Sequence, residues 1–413
     1  MTDDPPSRLA RRLGVGDAVT IGLGSMIGAG VFTALGPAAQ AAGGGIVAAL
    51  LVAGGVAFAN ATSSAQLAAR YPESGGTYVY GRKRLGAFWG FLAGWGFVIG
   101  KTASCAAMAL TLGAYVAPGR ERAVAVAGIA VVTFVNLRGV QKTARFTKVV
   151  LAIVLTALAA TVVAGVSGDR AGASADLSSP HGIVGILQAA GLLFFAFAGY
   201  ARIATLGEEV RDPRRTIPRA IPIALLITLA VYAAVIVAAL LAIGPEGIAT
   251  ATAPLQAVVS QGPWPGLVPI VRIGAAAGSL SVLLSLSAGV GRTGFAMAQH
   301  HELPGWLGAV HPRTRIPHHA ELAVGVIAAL VVLVADVRGV IGFSSFAVLV
   351  YYAIANASAW TLPREDRRWP RWLSAAGLVG CLLLAALLPL VASVSGTALL
   401  ATGALVWRFR LRP

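Results

Sequence analysis

The chain has 413 residues, of which 57% are hydrophobic and only 12% are charged. Soluble domains average about 25% charged residues, so this composition excludes an ordinary soluble protein. Apolar stretches of about 20 residues, each long enough to cross a bilayer, recur along the whole chain. We therefore predict an all-α membrane protein with about twelve transmembrane helices.

The net charge of +16 follows the predicted topology and does not indicate nucleic-acid binding. The predicted helices place 24 of the 32 Lys and Arg residues on one side of the membrane, in short loops and in the two tails. Short loops rich in Lys and Arg face the cytoplasm. This bias predicts a multi-pass protein of the plasma membrane, the inner membrane of a bacterium, with both termini in the cytoplasm.

The predicted spans follow the apolar stretches in chain order. They cover residues 17–39, 46–69, 86–117, 121–137, 149–168, 183–207, 220–244, 271–298, 320–336, 340–361, 372–391 and 396–408.

The first span contains a stretch that is unfavourable for a continuous helix, Gly22-Leu-Gly-Ser-Met-Ile-Gly-Ala-Gly-Val-Phe32. Glycine in a helix interior costs about 1 kcal/mol relative to alanine. Irregular backbone occurs at membrane depth only where protein or a water-filled cavity satisfies its polar groups. The stretch therefore predicts a broken helix whose free N–H groups point at a ligand. The alternative is close helix packing through small residues such as Gly24, Gly28 and Ala29.

A second interruption is predicted in span six, at Phe194-Phe-Ala-Phe-Ala-Gly-Tyr-Ala-Arg202. Broken helices at matching places in two halves are typical of an inverted repeat, with the binding site between them. The predicted organisation is a cytoplasmic N-tail (1–16), a first five-helix repeat (17–168), an external loop (169–182), a second five-helix repeat (183–361), two further helices (362–408) and a cytoplasmic C-tail (409–413).

Enzymatic chemistry has little support in the sequence. The chain has neither a Gly-x-Ser-x-Gly elbow nor a His-Glu-x-x-His pair, and the pairs His300-His301 and His318-His319 lie in one predicted cytoplasmic loop. Its two cysteines are too few for a disulfide framework. We predict no catalytic residue, no metal and no cofactor. Lys101 in span three is a functional candidate, because ionisable groups in membrane helices usually have a role; alternatively it reaches water or a backbone carbonyl.

Four stretches resemble the amino acid–polyamine–organocation (APC) superfamily, near its cationic amino-acid transporter branch. The longest is residues 192–222, which is similar to span six and the loop after it. Gly24–Phe32 resembles the family's break in span one, Tyr71–Tyr80 its first cytoplasmic loop, and Arg292–Pro304 the end of its span eight. The matches occur in order from about residue 14 to residue 320.

The resemblance implies ten core spans in two inverted repeats, two extra spans, and secondary transport of amino acids by alternating access. By position, the N–H groups around Gly28, Ala29 and Gly30 would bind the substrate carboxylate. Carbonyl groups of Met26, Phe195 and Ala198 would bind its α-ammonium, and aromatic side chains of span six would line or gate the pocket. The candidate substrate-binding residues are Ser25, Met26, Gly28, Ala29, Gly30, Phe195, Phe197, Ala198 and Tyr200.

The coupling ion stays open at this point. Many relatives carry a lysine in span five, where this chain has Val154. The hydroxyl groups of Ser281 and Ser285 are candidates for a sodium site, although serines in helices often bond to their own backbone. Lys101 is a candidate for the missing charge. The coupling ion is H⁺ or Na⁺, with proton symport preferred, and an amino-acid or polyamine exchanger is an alternative.

The substrate class is also affected by a departure from the family pattern. Many relatives have an acid after the glycine–aromatic pair of span six, whereas this chain has Ala201 followed by Arg202. The missing carboxylate weakens the case for a cationic substrate. We expect Arg202 to pair with Glu208 or Glu209 in a cytoplasmic gate, because an unpaired buried charge is unfavourable. The expected partners are an amino acid or amine and the lipid bilayer; a channel or a non-transporting amino-acid sensor are the rival functions.

Overall fold

A computed structural model of the chain describes residues 13–28, 30–73, 75–139, 144–168, 178–204 and 209–411. All regular elements of these residues are helices, apart from one isolated bridge between Leu13 and Val210. The α-helices are α1 (Val15–Met26), α2 (Gly30–Ala42), α3 (Ile46–Arg70), α4 (Thr77–Leu85), α5 (Ala87–Val116), α6 (Glu121–Leu137), α7 (Ala144–Ser167), α8 (Gly182–Phe197), α9 (Ala201–Ala204), α10 (Pro213–Thr250), α11 (Pro254–Gln261), α12 (Val268–Gln299), α13 (His318–Val334), α14 (Val337–Trp360), α15 (Arg371–Leu387) and α16 (Leu390–Val406).

Eight helical stretches of the described chain are long and apolar enough to cross a membrane. They are Gly30–Arg70, Ala87–Val116, Arg145–Ser167, Gly182–Ala204, Pro213–Thr250, Pro265–Gln299, Val337–Trp360 and Leu390–Phe409. Two shorter apolar helices, α13 and α15, lie between the later stretches. The length and composition of these helices agree with the predicted multi-pass membrane protein.

The helices differ in how deeply they lie within the protein. In α5 and α14, 83% of the most apolar 18-residue stretch is buried, whereas only 17% of the corresponding stretch at α16 is buried. Helices α5, α12 and α14 pack side by side, and the broken segments α1–α2 and α8–α9 pack against α10 and α3. Exposed aliphatic side chains on α13, α15 and α16 face outward, as expected for helices that contact lipid.

Prolines set two boundaries that differ from the predicted spans. The spans predicted at 372–391 and 396–408 are instead α15 and α16, which are separated at Leu388 and Pro389. Proline has no N–H group and disfavours helical geometry in the preceding residue, so the chain turns there although its composition stays apolar. Helix α10 also begins seven residues before the predicted span and kinks at Gly244, with φ 65°, immediately before Pro245.

Candidate functional site

The helix of span one is interrupted where its glycines are concentrated. Helix α1 ends at Met26, the N–H group of Ile27 bonds back to the Leu23 carbonyl at 2.7 Å, and α2 begins at Gly30. The predicted site residue Ala29 lies outside the described residues. Because the first N–H groups of a helix have no acceptor within it, the start of α2 offers donors at this depth.

The helix of span six is also interrupted. Helix α8 ends at Phe197, a 3₁₀ turn covers Ala198–Tyr200, and the short helix α9 follows. At such a change of helix type, some backbone N–H and C=O groups lose the i to i+4 hydrogen bond of an α-helix. Both predicted breaks are therefore present, five spans apart in the predicted order.

The two breaks contact each other through backbone atoms. A Cβ atom added to Gly199 would lie 2.3 Å from the Ser25 carbonyl oxygen and 2.7 Å from the Met26 nitrogen. One added to Gly30 would lie 2.5 Å from Cα of Ala196. These two glycines permit close approach of the two backbones at the breaks themselves. Close packing through small residues was the alternative explanation for the glycine-rich stretch of span one.

Helix α12 forms a further wall at the first break. A Cβ atom on Gly28 would lie 2.3 Å from Cγ2 of Val282, and one on Gly278 would lie 1.7 Å from the Gly28 carbonyl oxygen. The side chain of Val154, from α7, lies next to Gly278. The position at which many relatives carry a lysine is therefore beside the break in this chain, and its side chain is apolar and buried.

Two tyrosine hydroxyl groups donate to carbonyl groups at the breaks. The Tyr232 hydroxyl of α10 lies 2.6 Å from the Met26 carbonyl oxygen and 3.1 Å from that of Ala196. The Tyr352 hydroxyl of α14 donates to the Ala198 carbonyl at 3.2 Å. Carbonyls of Met26 and Ala198, predicted to hold the substrate ammonium, thus accept protein hydrogen bonds here. Neither tyrosine was predicted as a site residue, because the sequence marks each of them only as a phenol in an otherwise apolar span.

Aromatic rings surround the second break. Phe197 packs edge-on against Tyr232 with ring centroids 5.3 Å apart, and Tyr200 packs against Tyr352 at 5.0 Å. All four rings are buried, as is Phe195. The structure thus brings together the predicted site residues Ser25, Met26, Gly28, Gly30, Phe195, Phe197, Ala198 and Tyr200.

The predicted coupling residues do not form one cluster. Lys101 is 7% exposed and, among the residues that the structure describes, has no hydrogen bond or ion pair. The Ser285 hydroxyl donates to the Ser281 carbonyl at 3.1 Å, which is the local bond typical of helical serines. Arg202 is exposed, and Glu209 is near enough to act on it electrostatically. Glu208 lies outside the described residues.

A buried carboxylate joins the segment after α12 to α4. Glu302, after α12, forms an ion pair with Arg82 of α4 and accepts a 2.8 Å hydrogen bond from the Tyr78 hydroxyl. Burial, together with this bond to Glu302, raises the pKa of Tyr78 above its ordinary value. The phenol therefore stays protonated as a donor at neutral pH.

No group of three or more His, Cys, Asp or Glu that could hold a metal occurs in the described part of the chain.

Two small cavities lie near these features, each with room for about one water molecule. One is lined by Ala201, Tyr80 and Tyr352, among others, on the side of α9. The other lies between α5, α6, α12 and α13. The glycine contacts show that the two breaks pack tightly against each other. The region between them is therefore closed in this structure.

Comparisons with known proteins agree with this geometry. A family model for amino acid permeases matches residues 17–396. An uncharacterized transporter of Mycobacterium tuberculosis is 58% identical over 408 residues, covering 98% of this chain and 93% of the relative. The chloroplastic cationic amino acid transporter 7 of Arabidopsis thaliana is 28% identical over 372 residues (83% of this chain, 64% of the relative). The branched-chain amino acid permease BcaP of Bacillus subtilis is 24% identical over 395 residues (90% and 84%). The chain therefore belongs to the amino acid permease family of the APC superfamily, and it is a multi-pass membrane transporter.

Proposed function

We propose that the protein is a secondary active transporter that moves an amino acid across the plasma membrane by alternating access. The proposed architecture has twelve spans, with repeats at 17–168 and 183–361 joined by the external loop 169–182. Helices of residues 362–408 follow, and both tails are cytoplasmic. The apolar helices of matching position and the cytoplasmic excess of Lys and Arg support this topology.

The observation that carries the proposal is the backbone contact between two broken helices, at Gly199 against Ser25 and at Gly30 against Ala196. The start of α2, at Gly30, supplies N–H groups, and such groups attract a carboxylate through their unpaired hydrogens and the helix dipole. Carbonyls of Met26 and Ala198 supply acceptors for an ammonium group. An α-amino acid carries both charges on adjacent atoms, so it fits this pair of helix ends.

Binding at this place exchanges one set of hydrogen bonds for another. In the closed arrangement the hydroxyl groups of Tyr232 and Tyr352 satisfy the break carbonyls. A substrate ammonium replaces them when the two breaks separate. The tyrosines then stabilise the closed, substrate-free packing, and substrate stabilises a more open one, which is the differential interaction that a population shift requires.

The side chains at the breaks favour a neutral amino acid. The walls that the structure describes are Met26, Phe195, Phe197, Val282 and the small residue Ala201. None of these side chains can neutralise a second positive charge on the substrate. Among the relatives, the permease named for branched-chain amino acids fits these apolar side chains better than the transporter named for cationic amino acids.

We further propose proton coupling, without a bound cofactor. Val154 offers no charge beside the break, and the Ser285 hydroxyl is engaged in its own helix. Sodium sites in broken-helix transporters use freed backbone carbonyls, and here those of Met26 and Ala198 accept hydrogen bonds from tyrosines instead. Protonation of a side chain elsewhere in the bundle has no such requirement.

The test is uptake by purified protein in proteoliposomes, with a panel of labelled amino acids under an inward proton gradient, an inward sodium gradient, or neither. Saturable accumulation of a neutral amino acid that follows the proton gradient supports the proposal. Uptake only into vesicles preloaded with amino acid identifies an exchanger. The absence of saturable uptake in all three conditions and also in preloaded vesicles contradicts amino-acid transport by this protein.

A further inference from the structure

A buried polar network that the transport mechanism above does not use joins three helices of the bundle. Glu321, in the first turn of α13, is 3% exposed. The side-chain amide of Asn136, from α6, donates to Oε2 of Glu321 at 3.2 Å and to Oγ of Ser287, from α12, at 2.8 Å. The Ser287 hydroxyl in turn donates to the Leu283 carbonyl.

The packing leaves a space fitted to this carboxyl group. A Cβ atom on Gly291 of α12 would lie 2.7 Å from Oε1 of Glu321 and 2.9 Å from its carboxyl carbon. Any larger residue at position 291 would displace the carboxyl group. The acid is therefore held between α6 and α12 in one place.

The charge of this acid is poorly compensated. In the part of the chain that the structure describes, its carboxyl group accepts one hydrogen bond, from a neutral amide. Arg292 acts on it only from an exposed position, and Arg138, directly after α6, stacks instead on the Phe134 ring. The other ionisable side chains on α13 and on the helices packed against it are Lys101, Cys105 and Tyr115 of α5, Glu121 and Arg122 of α6, Arg272 of α12, and His318 and His319 of α13 itself. A buried carboxylate with so little pairing tends to take up a proton.

Space for a water molecule lies beside the network. A cavity with room for about one water molecule is lined by Ser287, Cys105, Thr133, Val324 and Gly325. Val324 and Gly325 lie one turn after Glu321 on α13, and Ser287 is shared with the network. The cavity therefore places a water site next to the groups that hold the acid.

Helix α12 connects this network to the candidate substrate site. Gly278, which meets the Gly28 carbonyl, lies nine residues before Ser287 on the same helix. At 1.5 Å per residue the two points are about 14 Å apart along the axis. A shift of α12 at the network is therefore transmitted to the wall of the first break.

We propose that Glu321 is the proton-binding residue of this transporter, and that its protonation is coupled to movement of α12 against α6 and α13. This inference rests on the proposed function, because it names the coupling residue of that same transport cycle. A proton taken up from water binds the carboxylate and gives the neutral carboxylic acid. Neutralising the acid removes the need for compensation by Asn136, so the two helices are free to separate.

The experiment compares wild type, Glu321→Gln, Glu321→Asp and the control Glu246→Gln, which makes the same change at an exposed acid on α10. Each protein is reconstituted, and two quantities are measured with the best neutral substrate: accumulation under an inward gradient of one pH unit, and counterflow without a gradient. At one proton per substrate, such a gradient drives up to about tenfold accumulation, since one pH unit and a tenfold ratio are equivalent.

We expect Glu321→Gln to lose gradient-driven accumulation while keeping counterflow within about twofold of wild type, because the amide resembles the protonated acid in shape. Glu321→Asp should recover part of the accumulation, and Glu246→Gln should match wild type. Accumulation by Glu321→Gln with the wild-type dependence on pH overturns the inference. So does loss of counterflow in both variants at position 321, which would mean a structural role. Wild-type protein that transports without any response to the proton gradient also overturns it, whereas wild-type protein with no amino-acid transport refutes the proposed function itself.

Discussion

Replacement of Gly199 by alanine is the most direct test of the contact between the two breaks. The added Cβ atom would lie 2.3 Å from the Ser25 carbonyl oxygen, 2.5 Å from its carbon and 2.7 Å from the Met26 nitrogen. All three are backbone atoms, so no side chain can rotate away. Ordinary contact begins near 3.4 Å, and the two segments must therefore separate by about 1.1 Å.

The size of the effect follows from this forced separation. Overpacking of a well-packed interior typically costs about 1–3 kcal/mol. In the proposed alternating-access cycle the contact belongs to the closed state alone. This amount is then a loss of closed-state stability, and it corresponds to roughly a five- to 150-fold change in the equilibrium between states. Gly199→Ala should therefore change the KM for uptake by an amount in this range and lower the maximal rate, since each cycle passes through the closed packing.

The assay is initial uptake by reconstituted protein over a range of substrate concentrations, with melting temperature in detergent as a second readout. Gly289→Ala is the matched control, because it makes the same change in α12, where a Cβ atom would have no neighbour within 4 Å. The control should transport like wild type and be more stable by up to about 1 kcal/mol. Wild-type KM and rate in Gly199→Ala would refute the view that the breaks meet at this glycine.

Three further substitutions test separate contacts. Tyr232→Phe removes the donor to two buried carbonyls and should lower the stability of the detergent-solubilised protein by about 1–3 kcal/mol, measured as thermal unfolding; an unchanged melting temperature would contradict the bridging role. Arg82→Ala leaves a buried carboxylate without its cation and should destabilise the protein by about 3–5 kcal/mol. Lys83→Ala, which removes the exposed ion pair between the next residue of α4 and Glu73, should stay within about 1 kcal/mol, so equal effects on melting temperature would be evidence against a stabilising role of the buried pair. Gly291→Ala should shift the pH dependence of uptake because it displaces the carboxyl group of α13, while Gly294→Ala, with open space at its Cβ position, should leave the pH profile unchanged; identical profiles for the two variants would argue against the displacement.

The breaks and most of the helices follow from local sequence. Apolar stretches long enough to cross a bilayer become helices, and four glycines within the first span interrupt it where they are concentrated. Both features depend on the residues of one segment alone, so they can be predicted without knowing which segments pack against it. The turn between α15 and α16 was misplaced because the composition is apolar on both sides, and only Pro389 marks the boundary.

Other features depend on contacts between distant segments. Helix α4 carries Arg82, Lys83 and Arg84 and resembles a polar loop in sequence; it is fixed by the ion pair to Glu302, more than 200 residues away. The role of Tyr232 likewise depends on the two carbonyls that the fold brings to it. A tyrosine in an apolar span is most often simply buried, so the sequence gives no reason to single it out.

The tyrosine bonds also explain how one region can be closed in one state and bind substrate in another. A carbonyl freed by a helix break at membrane depth must find a donor, because no lipid group supplies one. Tyr232 supplies it from α10 and Tyr352 from α14, so each break is held by a helix outside the broken pair. Replacement of a hydroxyl donor by an ammonium donor changes the number of hydrogen bonds little, and the net gain from that end of the substrate is small. In the proposed mechanism, the larger part of the binding free energy would then come from the carboxylate at the start of α2, whose N–H groups have no internal acceptor. It follows that the carboxylate would both hold the substrate and supply most of the differential free energy that shifts the population, whereas the ammonium would only replace a donor that the closed packing already has.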